Sequence, residues 1–290
     1  MQLRALLFAP GDDARKTARA LASEADGVIL DLEDAVPPAG KAAARRAVGE
    51  ALRQADRPGR IARVNPVGTP WYLDDLAAVV PARPDAVMLP KCVGPAMLAA
   101  LDHHLEALES AAGLAVGGIA VLALASETTG ARLDPPAYVG VTPRLAALCF
   151  GAEDLSADLG IAPRRPDGTY PAPVAAARAA LLLAAGAAGV AALDTPYPDP
   201  RDAEGLAREA AAAAADGFAG KLCIHPAQLA PVQTAFTPSA DALAWARRVM
   251  AAFAAAPDAG VLALDGRMID RPHRRLAERI LAAAGERSPQ

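Results

Sequence analysis

Eight short runs of apolar, strand-type residues recur along the chain, and this repetition constrains the fold more than any other feature. Most runs are continuous rather than alternating, which is typical of strands covered on both faces in a parallel sheet. The runs are 4–10, 27–33, 60–66, 86–91, 119–127, 145–151, 190–196 and 220–226. Ala-rich helical stretches fill nearly every interval, for example 38–55, 95–112, 173–187 and 202–215. The pattern predicts eight βα units, the number in a TIM (β/α)8 barrel.

A doubly wound open sheet is the competing α/β architecture. Such a sheet usually carries a glycine-rich nucleotide loop after its first strand. Here that position reads APGDD (9–13), and neither GxGxxG nor GxxxxGK[ST] occurs in the 290 residues. We therefore predict a barrel over residues 1–236.

Residues 237–290 lie outside the repeat. The stretch 237–256 predicts a helix capped by Ser239, and 259–285 predicts a strand, a turn and a final helix. We expect this C-terminal helical extension to cover the barrel mouth or to reach a neighbouring subunit. A second irregular segment is the Pro- and Gly-rich loop 160–173, and loops of this length are often lids or binding loops.

Composition and charge exclude several classes of partner. The formal net charge is -4 and Lys and Arg are dispersed, so no basic stripe for nucleic acid or an anionic membrane is present. The Ala/Leu-rich run after Arg178 is too short to span a membrane. Cys92, Cys149 and Cys223 are far apart, which predicts free thiols in a cytoplasmic protein. We expect a small-molecule partner.

Polar residues follow seven of the eight apolar runs, at the strand ends where barrel enzymes place their chemistry. Helix dipoles account for acids at these positions but not for cations at the same level. The sequence therefore predicts that these side chains converge on one mouth. They are Asp31, Glu33, Asp34, Arg63, Asn65, Lys91, Glu127, Glu153, Asp154, Asp194 and His225.

So many carboxylates in one mouth would repel one another unless a cation lies among them. His103 and His104 belong to a helical stretch and offer no zinc spacing. Oxygen ligands indicate a hard divalent cation, Mg²⁺ or alternatively Mn²⁺. Glu127 and Asp154, after neighbouring strands five and six, are the natural pair of ligands.

Several motifs resemble, in order and spacing, the citrate lyase beta subunit-like proteins of the HpcH/HpaI aldolase superfamily. They are DLEDAV (31–36), ARVNP (62–66), VMLPK (87–91), SETTG (126–130), FGAEDL (150–155), GKLCIHP (220–226) and GRMIDRPH (266–273). The resemblance spans practically the whole chain. It implies a TIM barrel with a C-terminal extension, a Mg²⁺ site, and Claisen-type cleavage or formation of a carbon–carbon bond in a 3-hydroxyacyl thioester, usually of coenzyme A.

The resemblance also implies roles for individual residues. Glu127 and Asp154 match the metal ligands, and Arg63 matches the arginine that contacts the oxo-acid and its reacting oxygen. Asp270 matches an acid that the C-terminal segment delivers to the active site of an adjacent subunit. Cleavage releases a thioester enolate that must gain a proton, and we hypothesise that Asp270 transfers it.

Asp31 and Glu33 complete the candidate catalytic set with Arg63 and Asp270, and we expect them to hydrogen-bond the arginine and lysine of the mouth. A Schiff-base role for Lys91 would need a lowered pKa, whereas the surrounding acids should raise it.

Further expectations concern the cations that bind substrate and two acids close to Asp154 in sequence, Glu153 and Asp158. For substrate and coenzyme A the candidates are Arg63, Arg4, Lys16 and Lys91, with Arg15, Arg164 and Arg165 as further candidates for the phosphates. We read Glu153 as supporting the metal from outside or through water. Asp158 reads as a helix cap or a solvated acid, and His225 as either structural or catalytic.

The expected protein is a cytoplasmic, Mg²⁺-dependent lyase or synthase of the malyl-CoA or citramalyl-CoA type, working on an acyl-CoA and a small 2-oxo acid as a homo-oligomer, a trimer or hexamer. Two alternatives stay open. One is a citrate lyase beta subunit that receives its thioester from an acyl carrier protein. The other is a metal-dependent class II pyruvate aldolase that needs no coenzyme A.

Overall fold

The chain, seen in a computed structural model that describes residues 2–286, forms a closed barrel of eight parallel strands in sequence order. Each strand pairs with the next, and β1 pairs with β8 to close the ring. Every predicted run contains one strand, so the predicted TIM barrel is confirmed. The strands are β1 Ala5–Pro10, β2 Gly27–Asp31, β3 Arg60–Arg63, β4 Ala86–Leu89, β5 Ala120–Leu124, β6 Leu145–Cys149, β7 Ala191–Asp194 and β8 Gly220–Cys223.

The barrel interior is filled by alternate residues of the strands, because successive strand side chains point to opposite faces. One buried apolar cluster includes Leu6, Ile29, Ile61, Leu193 and Leu222. The intervening residues face the helices and are buried as well, which explains why the apolar runs are continuous. Each fully buried Leu or Ile side chain contributes about 1.5–3 kcal/mol to folding.

Eight helices accompany the barrel strands within the described residues. They are α1 Ala14–Leu21, α2 Lys41–Gln54, α3 Tyr72–Val79, α4 Pro95–Ala111, α5 Ala152–Leu159, α6 Ala172–Ala188, α7 Ala203–Asp216 and α8 Leu229–Ala235. Short 3-10 turns occur at Pro38–Gly40, Val80–Ala82, Pro135–Tyr138 and Pro226–Gln228. The four helical stretches that the sequence predicted are confirmed.

The chain divides into two compact units, one ending at Gln233 and one beginning at Thr234. In the second unit, α9 Ala240–Ala255 follows Ser239, whose hydroxyl oxygen accepts a hydrogen bond from Ala242 N at 3.1 Å, as the predicted cap requires. Strands β9 Val261–Leu264 and β10 Arg267–Asp270 form an antiparallel hairpin that leads into α10 Arg271–Ala283.

The hairpin corrects the prediction of one strand and a turn in this region. Its turn residues, Asp265 and Gly266, both have positive φ, and such a tight turn returns the chain as a second strand. The inner hairpin residue Ile269 packs with Val249 and Phe253 in the core of this unit. The expectation that the extension reaches a neighbouring subunit stays a prediction.

Two general expectations concern the cysteines and the membrane. Cys92, Cys149 and Cys223 are buried free thiols, as predicted. Among residues 2–286, no helix has both the length and the apolar character needed to cross a membrane.

Candidate active site

The arginine at the end of β3 is held by the acid at the end of β2. Arg63 donates from Nε and Nη2 to the two carboxylate oxygens of Asp31, at 2.7 Å each. The two residues are neighbours in the strand register. Asp31 also accepts hydrogen bonds from the backbone N of Glu33 at 2.8 Å and of Ala35 at 3.1 Å, so it fixes the turn that follows β2. A bidentate pair of this kind sets both the position and the plane of the guanidinium.

Glu33 connects that arginine to the lysine after β4. Its Oε2 lies 2.9 Å from Arg63 Nη1, without the alignment of a hydrogen bond, and its Oε1 accepts a hydrogen bond from Lys91 Nζ. Burial raises the pKa of Glu33, and the charge of Arg63 acts in the opposite direction. Asp31 and Glu33 thus contact the arginine and the lysine, as the sequence predicted.

Both cations of the mouth stay charged. Burial by itself would lower the pKa of Arg63, but the hydrogen bonds and charge of Asp31 raise it overall. Burial likewise acts to lower the pKa of Lys91, and the hydrogen bond and charge of Glu33 outweigh it, so the pKa of Lys91 is raised. A Schiff-base lysine needs the opposite shift. Lys91 also lies 3.4 Å from Asp34 and 3.9 Å from Asp154, which keeps it inside the acidic mouth.

The predicted metal ligands come from the segments that follow β5 and β6. Glu127 is 4% exposed, and its Oε2 accepts a hydrogen bond from Lys91 N at 2.6 Å. Asp154 lies in the first turn of α5. A Cβ on Gly151 would lie 2.5 Å from Glu127 Cγ, so the glycine leaves the space that the glutamate occupies. Burial, followed by the charge of Asp154, raises the pKa of Glu127 to about 8.

These two carboxylates fit a magnesium ion. They raise each other's electrostatic energy, and a divalent cation between them would remove that repulsion. The described residues contain no group of three or more His, Cys, Asp or Glu side chains arranged to hold a metal. Mg²⁺ needs no such group, because it is usually held by one or two carboxylates while water and substrate oxygens complete its octahedron.

A buried lysine that the sequence reading did not assign supports the acidic turn after β2. Lys41 Nζ donates at 2.7 Å to each of three oxygens: Leu32 O, Glu33 O and Asn65 Oδ1. Asn65 Nδ2 in turn donates to Leu32 O at 2.8 Å and to Asp75 Oδ2 at 2.6 Å. This network determines where the backbone places Glu33.

Two further acids of α5, Glu153 and Asp158, bind other partners. Glu153 is exposed and pairs with Arg164 at 3.4 Å. Asp158, on α5, accepts hydrogen bonds from Thr129 N at 2.6 Å and Thr129 Oγ1 at 2.7 Å. Asp158 is exposed, which agrees with the expectation of a solvated acid, but its hydrogen bonds fix the loop that follows Glu127 and do not cap a helix.

The predicted coenzyme A cations do not all lie together. Lys16 lines a pocket of about 310 Å³ with Arg15 and Arg19, beside the carboxyl ends of β1 and β8. Arg4 instead precedes β1, at the amino end of the barrel, where Nη2 lies 2.8 Å from Asp26 Oδ1. Arg164 is held by Glu209 at 2.8 Å. Arg4 and Arg164 therefore do not line this pocket, and their contact with coenzyme A stays a prediction. Arg165, the remaining candidate, donates to Tyr170 O within its own loop.

Asp194 was predicted to line the mouth, and this is wrong. Leu193 occupies the barrel interior, so the next side chain points out to the helices. Asp194 is fully buried there, at 2.8 Å from both Lys221 Nζ and Arg178 Nε. His225 does reach the mouth pocket, where its Nδ1 accepts a hydrogen bond from Ala227 N at 3.1 Å.

Asp270 lies in the second unit, at the end of β10. Its side chain is 30% exposed, and its Oδ1 lies 2.6 Å from His273 Nδ1. The prediction that it acts on a neighbouring subunit stays a prediction.

Comparison with known protein families matches residues 4–226 to the family described as HpcH/HpaI aldolase/citrate lyase. The chain belongs to this family. A citrate lyase subunit beta-like protein from Mycobacterium tuberculosis is 39% identical over 99% of this chain and 98% of its own length. A (3S)-malyl-CoA thioesterase from Cereibacter sphaeroides is 36% identical over 97% of this chain and 94% of its own.

A solved structure also resembles this chain over nearly its whole length. The protein CitE from M. tuberculosis, crystallised with magnesium, acetoacetate and coenzyme A, is 38% identical and covers 98% of this chain and 99% of its own, with a TM-score of 0.76. The resemblance to citrate lyase beta-like proteins is thereby confirmed, and the chain is a carbon–carbon lyase of this family.

Proposed function

We propose that this chain cleaves or forms, with Mg²⁺, a carbon–carbon bond in a 3-hydroxyacyl-CoA thioester of the malyl-CoA or citramalyl-CoA type. The observation that carries the proposal is the carboxylate pair Glu127 and Asp154 in the same mouth as a guanidinium fixed by Asp31. The similar CitE, crystallised with magnesium, an oxo-acid and coenzyme A, supports it.

In this proposal Glu127 and Asp154 hold the metal, with Mn²⁺ as a possible substitute for Mg²⁺. Bound there, the ion supplies Lewis-acid stabilisation of negative charge on a substrate oxygen. Arg63 donates two of the five N–H groups of its guanidinium to Asp31, and its Nη1 lies 2.9 Å from Glu33 Oε2 without a hydrogen bond. The donors that Asp31 does not use can bind the oxo-acid without any reorientation, since Asp31 already holds the group in place.

The ion pairs of Lys91 indicate its role in the proposed reaction. Lys91 contributes a fixed positive charge rather than a nucleophile, because its ammonium is held by Glu33 and Asp34. We assign it to binding the anionic substrate. Its contact with Asp154 at 3.9 Å also keeps that carboxylate near the mouth.

Coenzyme A is assigned to the pocket beside β1 and β8. Arg15, Lys16 and Arg19 supply the positive charge that its phosphates require, and Phe8 and Ile224 supply apolar wall. The position next to the carboxyl ends of the strands lets the thioester extend from this pocket towards Arg63.

The proton transfer is assigned to Asp270 of a second copy of the chain, in a cytoplasmic trimer or hexamer. The hairpin face that carries Asp270 also carries Val261 and Met268, which are 59% and 62% exposed. Exposed apolar side chains on one face are typical of a surface that a partner covers. This supports an assembly in which the hairpin meets another copy.

A second candidate reaction is hydrolysis of the thioester, which the relative from C. sphaeroides favours because it is a (3S)-malyl-CoA thioesterase. Mass spectrometry after incubation with malyl-CoA or citramalyl-CoA and Mg²⁺ separates the two. Lyase activity gives acetyl-CoA and an oxo-acid, whereas hydrolysis gives free coenzyme A and a hydroxy-diacid. Absence of both product sets, with activity instead on a citryl carrier-protein thioester or on free pyruvate and an aldehyde, would replace the proposal with one of the two alternatives.

A further inference from the structure

We propose that His273 is a positioning residue for the proton-transferring carboxylate, Asp270. The inference rests on the proposed function, in which Asp270 accepts the proton from the thioester. Its basis is the contact of His273 Nδ1 with Asp270 Oδ1 at 2.6 Å. Two hydrogen-bonding atoms approach this closely only when a proton lies between them.

The donor in this contact is the imidazole. An ionised carboxylate can only accept, so the proton belongs to Nδ1 of His273. Asp270 N also lies 3.3 Å from the same Nδ1, a longer contact that the opposite tautomer would use. The shorter contact, which involves a charged acceptor, decides the tautomer.

The backbone around the pair is fixed on both sides. Asp270 is the last residue of β10, where it pairs with Val261 across the hairpin, and it is also the N-cap residue of α10. Pro272 stands in the first turn of that helix and restricts its backbone. His273 follows at the third helical position, from which a side chain reaches back to the N-cap.

The imidazole of His273 therefore binds Asp270 Oδ1, and the backbone N–H of His273 also donates to the Asp270 side chain, so the carboxylate is fixed in orientation before the substrate binds. The hydrogen bond from His273 lowers the pKa of Asp270, so the carboxylate is ionised before the thioester arrives. In the proposed step the C–H bond beside the thioester carbonyl breaks and its electron pair enters the enolate. The proton moves to the carboxylate of Asp270, and His273 keeps its own proton throughout.

The test measures exchange of the acetyl-CoA methyl protons in D₂O, with Mg²⁺ and with oxalate as an unreactive substitute for the oxo-acid. This reaction reports proton transfer without carbon–carbon bond cleavage. The variants are His273→Asn and His273→Leu, which have nearly the same shape at Cγ. Asn keeps an N–H donor at the position of Nδ1, and Leu removes it.

We expect His273→Leu to slow exchange at saturating acetyl-CoA by about tenfold or more, the loss typical of one hydrogen bond to a charged group. His273→Asn should stay within about threefold of the unaltered protein, with KM for acetyl-CoA and the unfolding temperature matched between the two variants. Equal losses in Asn and Leu, or exchange by His273→Leu at the unaltered rate, would overturn the positioning role alone. If the unaltered protein fails to exchange, or Asp270→Asn exchanges as fast, the proposed function is at fault and this inference falls with it.

Discussion

Two networks of charged side chains lie on the same barrel. They differ in whether hydrogen-bond donors remain for a ligand. In the mouth, Asp31, Glu33, Arg63 and Lys91 contact one another, but Arg63 keeps guanidinium donors that Asp31 does not use. Outside β7 and β8, Lys221 lies 2.8 Å from Asp194 and 2.7 Å from Glu209, and it is fully buried among them. The first network is arranged to bind something further. The second is complete and holds the helical layer to the barrel.

The comparison teaches that a charged side chain at a strand end is not by itself a site. The two networks differ in the face of the strand on which their side chains lie, and this face alternates from one residue to the next. Asp31 and Arg63 each stand two residues after a side chain of the barrel interior, Ile29 and Ile61, so they point inward at the mouth. Asp194 stands one residue after Leu193 and points outward.

The largest effect is expected on stability, in the network outside β7 and β8. Lys221→Met should lower the free energy of unfolding by about 3–5 kcal/mol, because it leaves the Asp194 and Glu209 carboxylates buried without that cation. The midpoint of urea denaturation measures it. Activity per folded molecule should be unchanged. In the Lys221→Met, Asp194→Leu double variant, the loss of unfolding free energy should be smaller than the sum of the losses in the two single variants. A Lys221→Met protein that keeps its stability but loses turnover would contradict the structural role that we assign to the outer network.

In the mouth the same type of change should affect catalysis instead. Arg63→Met should reduce kcat by about 10²–10³-fold, the loss typical of removing one donor that stabilises developing negative charge. Steady-state kinetics with malyl-CoA or citramalyl-CoA measure this. Arg178→Met, which removes an arginine from the outer network, is the matched control and should leave kcat within about threefold. Equal losses of kcat in both variants would contradict our assignment of the two networks.

Lys41 sharpens the comparison because it is both structural and close to the mouth. Lys41→Met should lower the free energy of unfolding by about 1–3 kcal/mol, since three oxygens lose a charged donor. It should also reduce kcat, because the turn that carries Glu33 loses its support. Denaturation and turnover are measured on the same preparation. A change in stability with full kcat would show that Lys41 supports only the fold.

The sequence predicted the barrel because each strand is apolar on both faces and each run is bounded by polar residues. It also predicted most of the mouth, since Asp31, Glu33, Arg63, Lys91 and Glu127 all follow runs whose order was evident. Asp194 could have been excluded from the mouth by following the alternation of side chains along its strand, because it comes directly after the inward-facing Leu193. Lys41 could have been found as well, because it shares the buried face of α2 with Ala44, Val48 and Leu52.

Other features depend on tertiary contacts that no local pattern shows. The pairing of Arg4 with Asp26 joins residues 22 positions apart, and that of Arg164 with Glu209 joins residues 45 apart. The sequence predicts one strand, a turn and a helix here, whereas the turn at Asp265 and Gly266 returns the chain as β10. The Asp270–His273 contact spans only three residues, but it needs a side-chain rotamer that the sequence does not fix.

The smallest effect is expected at Asp158. Its carboxylate is exposed and only fixes the loop at Thr129, so Asp158→Asn should change the free energy of unfolding by less than about 1 kcal/mol. The same variant should leave kcat nearly unaltered, as measured in the same assay. A loss as large as that of Arg63→Met would mean that this acid, too, belongs to the mouth.

The most direct test of the central claim is thermal unfolding with and without Mg²⁺. Glu127→Gln combined with Asp154→Asn is compared with Asp158→Asn, which neutralises a nearby acid of the same helix. We predict that Mg²⁺ raises the unfolding temperature of the unaltered protein and of Asp158→Asn, and leaves that of the Glu127→Gln, Asp154→Asn protein unchanged. Stabilisation by Mg²⁺ that persists undiminished in the double variant would contradict the account.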